Sequence, residues 1–257
     1  MFLQSPGETA FTIYGISIYW YSVMILISIL IGVFIANKFA YKFNLPKDFW
    51  IENSPLLIVC GIIFARAYYC AANYEYFLKY PAQILNIRGG GLSIHGVILG
   101  GIIYLICLAK TKRIAFFNIA DSISFVLPLC QSIGRWGNFF NSEAFGLPTK
   151  SNWGVYIPLA NRPAEYINYE YFHPTFLYES ILDLFVFITL AVLIKKEPKS
   201  GTIFLVYLIL YSAIRIAIEQ IRTDSVLNIN GIPLAQVVSA AIMTFAIIIL
   251  IIRKRYN

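Results

Sequence analysis

Seven long apolar runs dominate this sequence of 257 residues and cover positions 17–37, 55–73, 92–109, 115–134, 175–194, 201–220 and 233–252. A helix needs roughly 20 apolar residues to cross the hydrocarbon core of a bilayer, so each run is long enough for one crossing. Only 13% of the residues are charged, whereas a soluble domain carries about 25%. The sequence therefore predicts an all-α integral membrane protein with about seven transmembrane helices, and it excludes a soluble enzyme.

Lysine and arginine are distributed unevenly between the connections that join these runs. Alternate connections carry three each, which are Lys38, Lys42, Lys47, Lys110, Lys112, Arg113, Lys195, Lys196, Lys199, Arg253, Lys254 and Arg255. The remaining connections carry half as many, namely Lys79, Arg88, Arg135, Lys150, Arg162 and Arg222. Because cytoplasmic loops are enriched in Lys and Arg, this bias predicts an N terminus outside the cytoplasm and a C terminus inside it. It also accounts for the net charge of +7 without a nucleic-acid partner.

The longest connection, about 135–174, lies on the outward side of this topology. It is rich in Asn, Gly, Pro and aromatic residues and has no helical periodicity, which predicts a small cap of short strands or irregular structure. Residues 1–12 contain no Lys or Arg, so the start lacks the basic region of a cleavable signal peptide. We therefore expect one membrane-embedded domain over residues 1–257, with the cap as its outward part.

The four cysteines give no support for a metal site or a disulfide framework. Cys60, Cys70, Cys107 and Cys130 lie inside apolar runs and form no CxxC pair, the spacing that such sites commonly use. The sequence thus predicts no metal and no cofactor.

Ionisable residues cluster in the sixth apolar run. Tyr211, Arg215, Glu219 and Arg222 are spaced by four, four and three residues, which places them on one face of a helix. Charged residues inside a membrane span are costly and usually functional or paired. The stripe is consistent either with a polar site inside the helix bundle or with an Arg215–Glu219 ion pair that only fixes helix packing.

A second polar group follows the fourth run, in the segment GRWGNFFNSEAFG over residues 134–146. Arginine offers a planar fork of donors that matches phosphate oxygens, and the Gly and Asn residues around Arg135 favour phosphate binding over simple snorkelling of the side chain to the interface. His95, at the start of the third run, could accept a proton near neutral pH or form an interfacial hydrogen bond. His173, at the start of the fifth run, fits a loop contact.

The predicted topology brings these residues to one side of the membrane. One polar cavity open to the outer leaflet explains this convergence better than independent packing roles for His95, Arg135, Glu143, His173, Glu219, Arg222 and, one turn deeper, Arg215.

Four ordered motifs in this sequence resemble those of the prolipoprotein diacylglyceryl transferase family of bacterial inner membranes. Residues 134–146 match the family pattern G-R-x-G-N-F-x-N-x-E-x-x-G, and the other three are GGLSIHG at 90–96, HPTFLYE at 173–179 and Y-x-x-x-R-x-x-x-E at 211–219. The sequence departs from the family at Val97, where a second Gly commonly follows the His, and at Arg88, where a Trp is common.

The resemblance implies an enzyme that moves the diacylglyceryl group of phosphatidylglycerol to the lipobox cysteine of a lipoprotein precursor and releases glycerol phosphate. It implies phosphatidylglycerol, the precursor's signal peptide and membrane lipid as partners, and a multi-pass enzyme of the bacterial inner membrane with its active site toward the outer leaflet. The implied catalytic residues are His95, Arg135, Arg215 and Glu219. The implied substrate-binding residues are Tyr21, Asn138, Glu143, Gly146, Tyr211 and Arg222.

The chemistry of that reaction fits the residue types. A thiolate must attack a glycerol carbon while a phosphate-bearing group departs, so two arginines aimed at the phosphate are the main electrostatic requirement. A histidine near the thiol could take its proton, which favours His95 as the base. The alternatives left open are a transporter or flippase gated by the Arg215–Glu219 pair, and a purely structural membrane subunit.

Overall fold

The computed structural model describes residues 3–87, 90–223, 228–229 and 231–255, so Arg88 lies outside the described residues. Within these ranges the helices are α1 (Trp20–Lys38), α2 (Phe49–Ala72), α3 (Tyr74–Lys79), α4 (Ile94–Lys112), α5 (Phe116–Phe140), α6 (Thr175–Leu193), α7 (Thr202–Glu219) and α8 (Leu234–Arg255). All except the short α3 have the length and apolar composition needed to cross a membrane, which makes seven in the described part of the chain. The predicted all-α membrane fold is confirmed.

Three of the differences between helix boundaries and apolar runs have a clear structural cause. Helix α1 begins at Trp20 because residues 16–19 pair with 9–13 in a hairpin, in which Tyr14 and Gly15 both have positive φ, as a tight hairpin turn requires. Helix α2 begins at Phe49, six residues before the predicted start, because Phe49 and Trp50 are buried anchors. Helix α5 continues to Phe140 and not only to residue 134, so Arg135 and Asn138 stand on a helix and not in an irregular connection.

The chain divides into two compact units, residues 1–35 with 123–257, and residues 36–122. In the smaller unit, α2 packs closely along α4. A Cβ on Gly96 would lie 2.3 Å from the carbonyl oxygen of Phe64, and the Tyr104 hydroxyl donates a hydrogen bond to the Asn53 carbonyl at 2.9 Å. Small residues at such contacts let the backbones of membrane helices approach one another.

The larger unit contains the cap and the helices packed against it. A three-stranded sheet has the order β1-β4-β5 and consists of β1 (Leu3–Gln4), β4 (Val155–Tyr156) and β5 (Tyr171–Phe172). Two further pairs of short strands are antiparallel: β2 (Thr9–Ile13) with β3 (Ile16–Tyr19), and β6 (Asn228–Ile229) with β7 (Ile232–Pro233). The sheet packs on an aromatic core that includes Phe139 near the end of α5 and Phe176 at the start of α6. This core fixes the end of α5 next to the start of α6.

The membrane part of the same unit is joined by hydrogen bonds between helices. The Ser132 hydroxyl donates to the Ser180 carbonyl at 2.7 Å, and the Ser180 hydroxyl donates to the Ser132 carbonyl at 2.8 Å. The pair holds α5 against α6, three residues before Arg135 on α5 and one residue after Glu179 on α6.

Candidate active site

One buried carboxylate, Glu179 on α6, collects three arginines from three parts of the larger unit. Its Oε2 is paired with Arg135 of α5 and lies 4.0 Å from Nη1 of Arg215 on α7, and its Oε1 accepts a hydrogen bond from Nη1 of Arg222 at 2.9 Å. Only 3% of the Glu179 side chain is exposed, against 20% for Arg135 and for Arg215. We call these residues, together with Glu219, the Glu179 cluster.

Arg215 has a second carboxylate partner on its own helix. Its Nη2 lies 2.6 Å from Oε2 of Glu219, four residues later, and the Glu219 side chain is 3% exposed. Two buried carboxylates thus restrain Arg215 from two directions, while a fifth of its side-chain surface stays accessible.

The Glu179 cluster contains more guanidinium groups than carboxylates, three against two. A further buried carboxylate on α6, that of Asp183, lies within electrostatic range of Arg135 and Glu179. Interactions between charges are stronger in such a water-poor setting than in bulk water. The arrangement suits a bound anion, because the side chains of Arg135 and Arg215 stay partly exposed.

Tyr211 continues the cluster by one turn of α7. It lies within electrostatic range of Arg135, Arg215 and Glu179, and its ring stacks on Tyr207 with 5.7 Å between centroids. The Tyr207 hydroxyl lies 3.1 Å from the side-chain oxygen of Gln131. The predicted polar face of this helix therefore contacts other polar groups of the larger unit.

The segment after α5 places Glu143 in a tight turn. Nδ2 of Asn138 donates to Oε1 of Glu143 at 2.9 Å, and Nδ2 of Asn141 lies 3.4 Å from the same oxygen. Ser142 and Ala144, on either side of Glu143, have φ of 52° and 53°. Left-handed backbone at residues other than glycine is uncommon and concentrates at functional sites.

Tyr21 lies against the same helix at a glycine. A Cβ on Gly137 would be 2.6 Å from Cδ2 of Tyr21, so only glycine lets the ring approach α5 so closely. Trp20 stacks on Phe140 with ring centroids 4.8 Å apart. The start of α1 is therefore seated on the last turns of α5, beside Asn138.

His95 belongs to the smaller unit, at the first turn of α4. Its ring stacks on Tyr68 of α2 with 5.6 Å between centroids, and its Nδ1 lies 3.5 Å from the Ser93 hydroxyl oxygen. The structure thus brings Arg135, Arg215, Glu219 and Arg222 together through Glu179, while His95 has its own surroundings in the smaller unit.

Comparison with known proteins supports the reading of these motifs. The family model described as prolipoprotein diacylglyceryl transferase matches residues 8–252. This chain belongs to the prolipoprotein diacylglyceryl transferase family. Two relatives named phosphatidylglycerol–prolipoprotein diacylglyceryl transferase are 44% identical to it, one from Prochlorococcus marinus over 90% of this chain and 84% of its own length, and one from Nostoc over 91% and 85%. A third, from Trichormus variabilis, is 43% identical over 95% and 88%.

Glu179 of this transferase family member was not among the site residues that the sequence predicted. Glu179 lies in the motif HPTFLYE, one turn into the fifth apolar run, so the rule that singled out Arg215 and Glu219, a charge inside a membrane span, applied to it as well. What the rule lacked was a partner, because the three arginines that contact Glu179 lie 36 to 44 residues away along the chain, beyond any pattern of helical spacing.

Gly146 owes its place to a close approach of three chain segments. A Cβ there would lie 2.8 Å from the Ile221 carbonyl oxygen and 3.0 Å from Cγ2 of Thr175, while its N–H donates to the His173 carbonyl at 2.8 Å. Gly146 also forms a bridge with Arg222. Glycine at this position lets the backbone next to Arg222 pack against the start of α6.

We expect Gly146→Ala to lower transfer activity, because the methyl group pushes the backbone at 221–222 away and so separates Arg222 from Glu179. Overpacking of this kind costs about 1–3 kcal/mol. The thermal midpoint and the transfer rate of the purified variant measure both effects. Gly134→Ala is the matched control, since a Cβ there meets nothing nearer than Cδ1 of Ile25 at 4.0 Å; equal losses in the two variants would contradict the explanation.

Proposed function

We propose that this chain is a phosphatidylglycerol–prolipoprotein diacylglyceryl transferase that modifies the lipobox cysteine of lipoprotein precursors, the first step of lipoprotein maturation. Membership of the family supports the proposal, and the observation that carries it is the convergence on Glu179 of three arginines, two of which keep a fifth of their side chains exposed. A phosphodiester headgroup is an anion that such a cluster can hold.

The reaction exchanges a carbon–oxygen bond for a carbon–sulfur bond. The cysteine thiolate attacks the carbon of the diacylglyceryl group that is bonded to the phosphate oxygen. The bond between this carbon and the oxygen breaks, and its electron pair leaves with the oxygen on the departing glycerol phosphate. The thiol proton passes to a base and then to the released phosphate or water. Charge accumulates on the departing phosphate, so groups that bind it more strongly in the transition state accelerate the step.

We assign Arg135 and Arg215 to the phosphate, since each keeps a fifth of its side chain accessible. Glu219 and Glu179 hold those guanidinium groups in position. Asn138 binds the headgroup, and His95 accepts the thiol proton. Tyr21, Glu143, Gly146, Tyr211 and Arg222 bind the substrates.

The test is a transfer assay with purified protein in detergent, phosphatidylglycerol labelled in an acyl chain, and a lipobox peptide. We expect a labelled thioether on the peptide cysteine together with glycerol phosphate. A peptide with serine at that position is the control. A protein inactive in detergent that moves an anionic solute across a sealed membrane would contradict the proposal in favour of a transporter.

We further propose a bacterial inner-membrane location with the N terminus outside the cytoplasm. The bias of Lys and Arg toward alternate connections supports it. Single cysteines in a background without the four native ones, treated with a membrane-impermeant thiol reagent, should be labelled from outside at positions 152 and 228 but not at 44 and 196. The reverse pattern would contradict the orientation and with it the outer-leaflet active site.

His95→Gln should lower turnover by about 10²–10⁴-fold, the usual contribution of a general base, while substrate binding is retained. Glutamine can form hydrogen bonds but cannot take a proton. The loss should shrink as pH rises toward about 8.5, the ordinary pKa of a thiol, because thiolate then forms without help. The measurement is the ratio of wild-type to variant turnover between about pH 6.5 and 9.

His173→Gln is the matched control for the second histidine, whose Nδ1 lies 3.2 Å from the Tyr178 hydroxyl. Any loss there should not depend on pH. A ratio for His95→Gln that is equally flat would remove His95 as the base and leave the two arginines and a self-ionising thiol.

A further inference from the structure

Arg66 is a buried arginine in the last third of α2 that the reaction does not use, and only 9% of it is exposed. Each of its five N–H groups has a backbone carbonyl acceptor: Nε donates to Ile84 at 2.9 Å, Nη1 to Gly90 and to Gly91 at 2.9 Å each, and Nη2 to Gln83 at 2.6 Å and to Asn86 at 3.1 Å. We call Arg66 and these five carbonyl groups the Arg66 clip.

The clip excludes Arg66 as a phosphate ligand. A guanidinium group has five N–H donors, and all five are occupied by carbonyl groups of the connection before α4. Its flat face lies near two rings, with Cζ 5.2 Å from the Phe77 centroid and 5.7 Å from the Tyr69 centroid. Arg66, which lies on α2, therefore binds the connection before α4 and has no donor left for a lipid headgroup.

The connection passes from the clip directly into α4. Gly91 has φ of +77°, and a Cβ there would lie 2.6 Å from Nη1 of Arg66. Two residues later, the Ser93 N–H donates to the carbonyl of Ala65 at 3.1 Å. Gly96 then packs on the α2 backbone, where its Cβ would lie 2.6 Å from Cα of Ala65. Residues 91, 93 and 96 are thus all held by the stretch of α2 centred on Arg66.

His95 lies between two of these attachment points, and its ring stacks on Tyr68, two residues after Arg66. We propose that Arg66 is a positioning residue for His95: its five-carbonyl clip holds the connection on α2 and so fixes the start of α4 that carries the imidazole. The catalytic meaning of this role rests on the proposed function, in which His95 is the base.

Lysine cannot replace arginine in this role, although it keeps the charge. Its ammonium group has three donors on a flexible stem, so at least two of the five carbonyl groups lose their partner. Arg66→Lys should loosen the connection and the first turn of α4 while the rest of the chain stays folded.

The experiment measures the modification of the two histidines by diethylpyrocarbonate in the full-length protein in detergent, quantified by mass spectrometry. The ratio of the His95 rate to the His173 rate is the readout, because His173 lies in the larger unit and reports general loosening. We expect Arg66→Lys to raise this ratio several-fold, because the His95 rate increases while the His173 rate stays the same. An unchanged ratio, or equal acceleration of both histidines, would overturn the positioning role.

A second variant tests the clip from its other side and covers the case in which Arg66→Lys fails to fold. Gly91→Ala leaves the arginine in place but sets a methyl group against its Nη1 and against Cε1 of Tyr69, 2.6 Å away. It should change the histidine ratio in the same direction. Gly101→Ala is the control, since Gly101 lies on the same helix as His95 but a Cβ there would have nothing within 4 Å, and it should leave the histidine ratio unchanged. A changed ratio in Gly101→Ala, or an unchanged ratio in Gly91→Ala, would overturn the inference.

Turnover then links the clip to catalysis. Arg66→Lys should lower kcat by about tenfold or more, up to the 10²–10⁴-fold that a general base contributes, with little change in KM for phosphatidylglycerol. Adding it to His95→Gln should cause no further loss, since it acts through that residue; multiplied losses would overturn the inference. If the wild-type protein shows no transfer activity, the proposed function is wrong, but the ratio of histidine modification rates still decides whether Arg66 positions the start of α4.

Discussion

Glu179→Gln is expected to abolish most transfer activity and to lower the stability of the protein. The substitution keeps the shape of the side chain but removes the charge that Arg135 and Arg222 share. Breaking a buried ion pair by removing one partner costs about 3–5 kcal/mol, because the remaining charges lose their compensation. The guanidinium groups then repel one another and are no longer held in the arrangement that stabilises the departing phosphate.

Phosphatidylglycerol gives this prediction a sharper readout. In Glu179→Gln the lipid phosphate supplies negative charge that the arginines lack, so added phosphatidylglycerol should raise the thermal midpoint of the variant more than that of the wild type. Glu165→Gln, the same change at an exposed residue of the cap, should alter neither quantity. A Glu179→Gln protein with normal turnover would show that the cluster is not the site.

Glu179→Asp separates charge from geometry. Aspartate keeps the carboxylate but is one methylene shorter, so it cannot reach all the arginines that Glu179 holds from α5, α7 and residue 222. We expect intermediate stability but turnover close to that of Glu179→Gln. Full activity in the aspartate variant would mean that the charge alone matters and that the arrangement of the arginines does not.

Arg135→Lys and Arg215→Lys should each lose most activity although the charge is kept. Lysine is a point donor and cannot reproduce the two-pronged contact of arginine with phosphate oxygens. Losing one hydrogen bond to a charged group costs about 1.5–3 kcal/mol, which corresponds to about 10- to 100-fold in rate. Steady-state turnover with phosphatidylglycerol and a lipobox peptide measures the effect.

The two arginines should differ in how they tolerate the change. Arg215 is held by Glu219 on its own helix at 2.6 Å, so a lysine there keeps an ion-pair partner, whereas a lysine at 135 must share Glu179 with Arg222. We therefore expect the lower thermal midpoint for Arg135→Lys. Arg113→Lys, at the exposed end of α4 where φ is 55°, is the control; equal turnover of a site variant and this control would leave that arginine a generic electrostatic role.

Local patterns in the sequence were sufficient for the membrane architecture and for one contact of the Glu179 cluster. Seven runs of about 20 apolar residues predict seven crossings because bilayer thickness sets the length of each, and the i, i+4 spacing of Arg215 and Glu219 predicts their contact, which the structure has at 2.6 Å. The end of α5 was placed six residues too early, since the turns that follow residue 134 are stabilised by contacts of Phe139 and Phe140 that lie far away in the sequence.

What the sequence by itself determined is therefore the class of fold, the number of crossings, the motifs of the family and the residue types available for the chemistry. Only the tertiary structure decided that Glu179 is the shared partner of Arg135, Arg215 and Arg222, and that Arg66 is saturated by carbonyl groups. The physical reason is range: hydropathy and helical spacing are properties of neighbouring residues, whereas a buried charge finds its partners only when helices distant in the chain pack together.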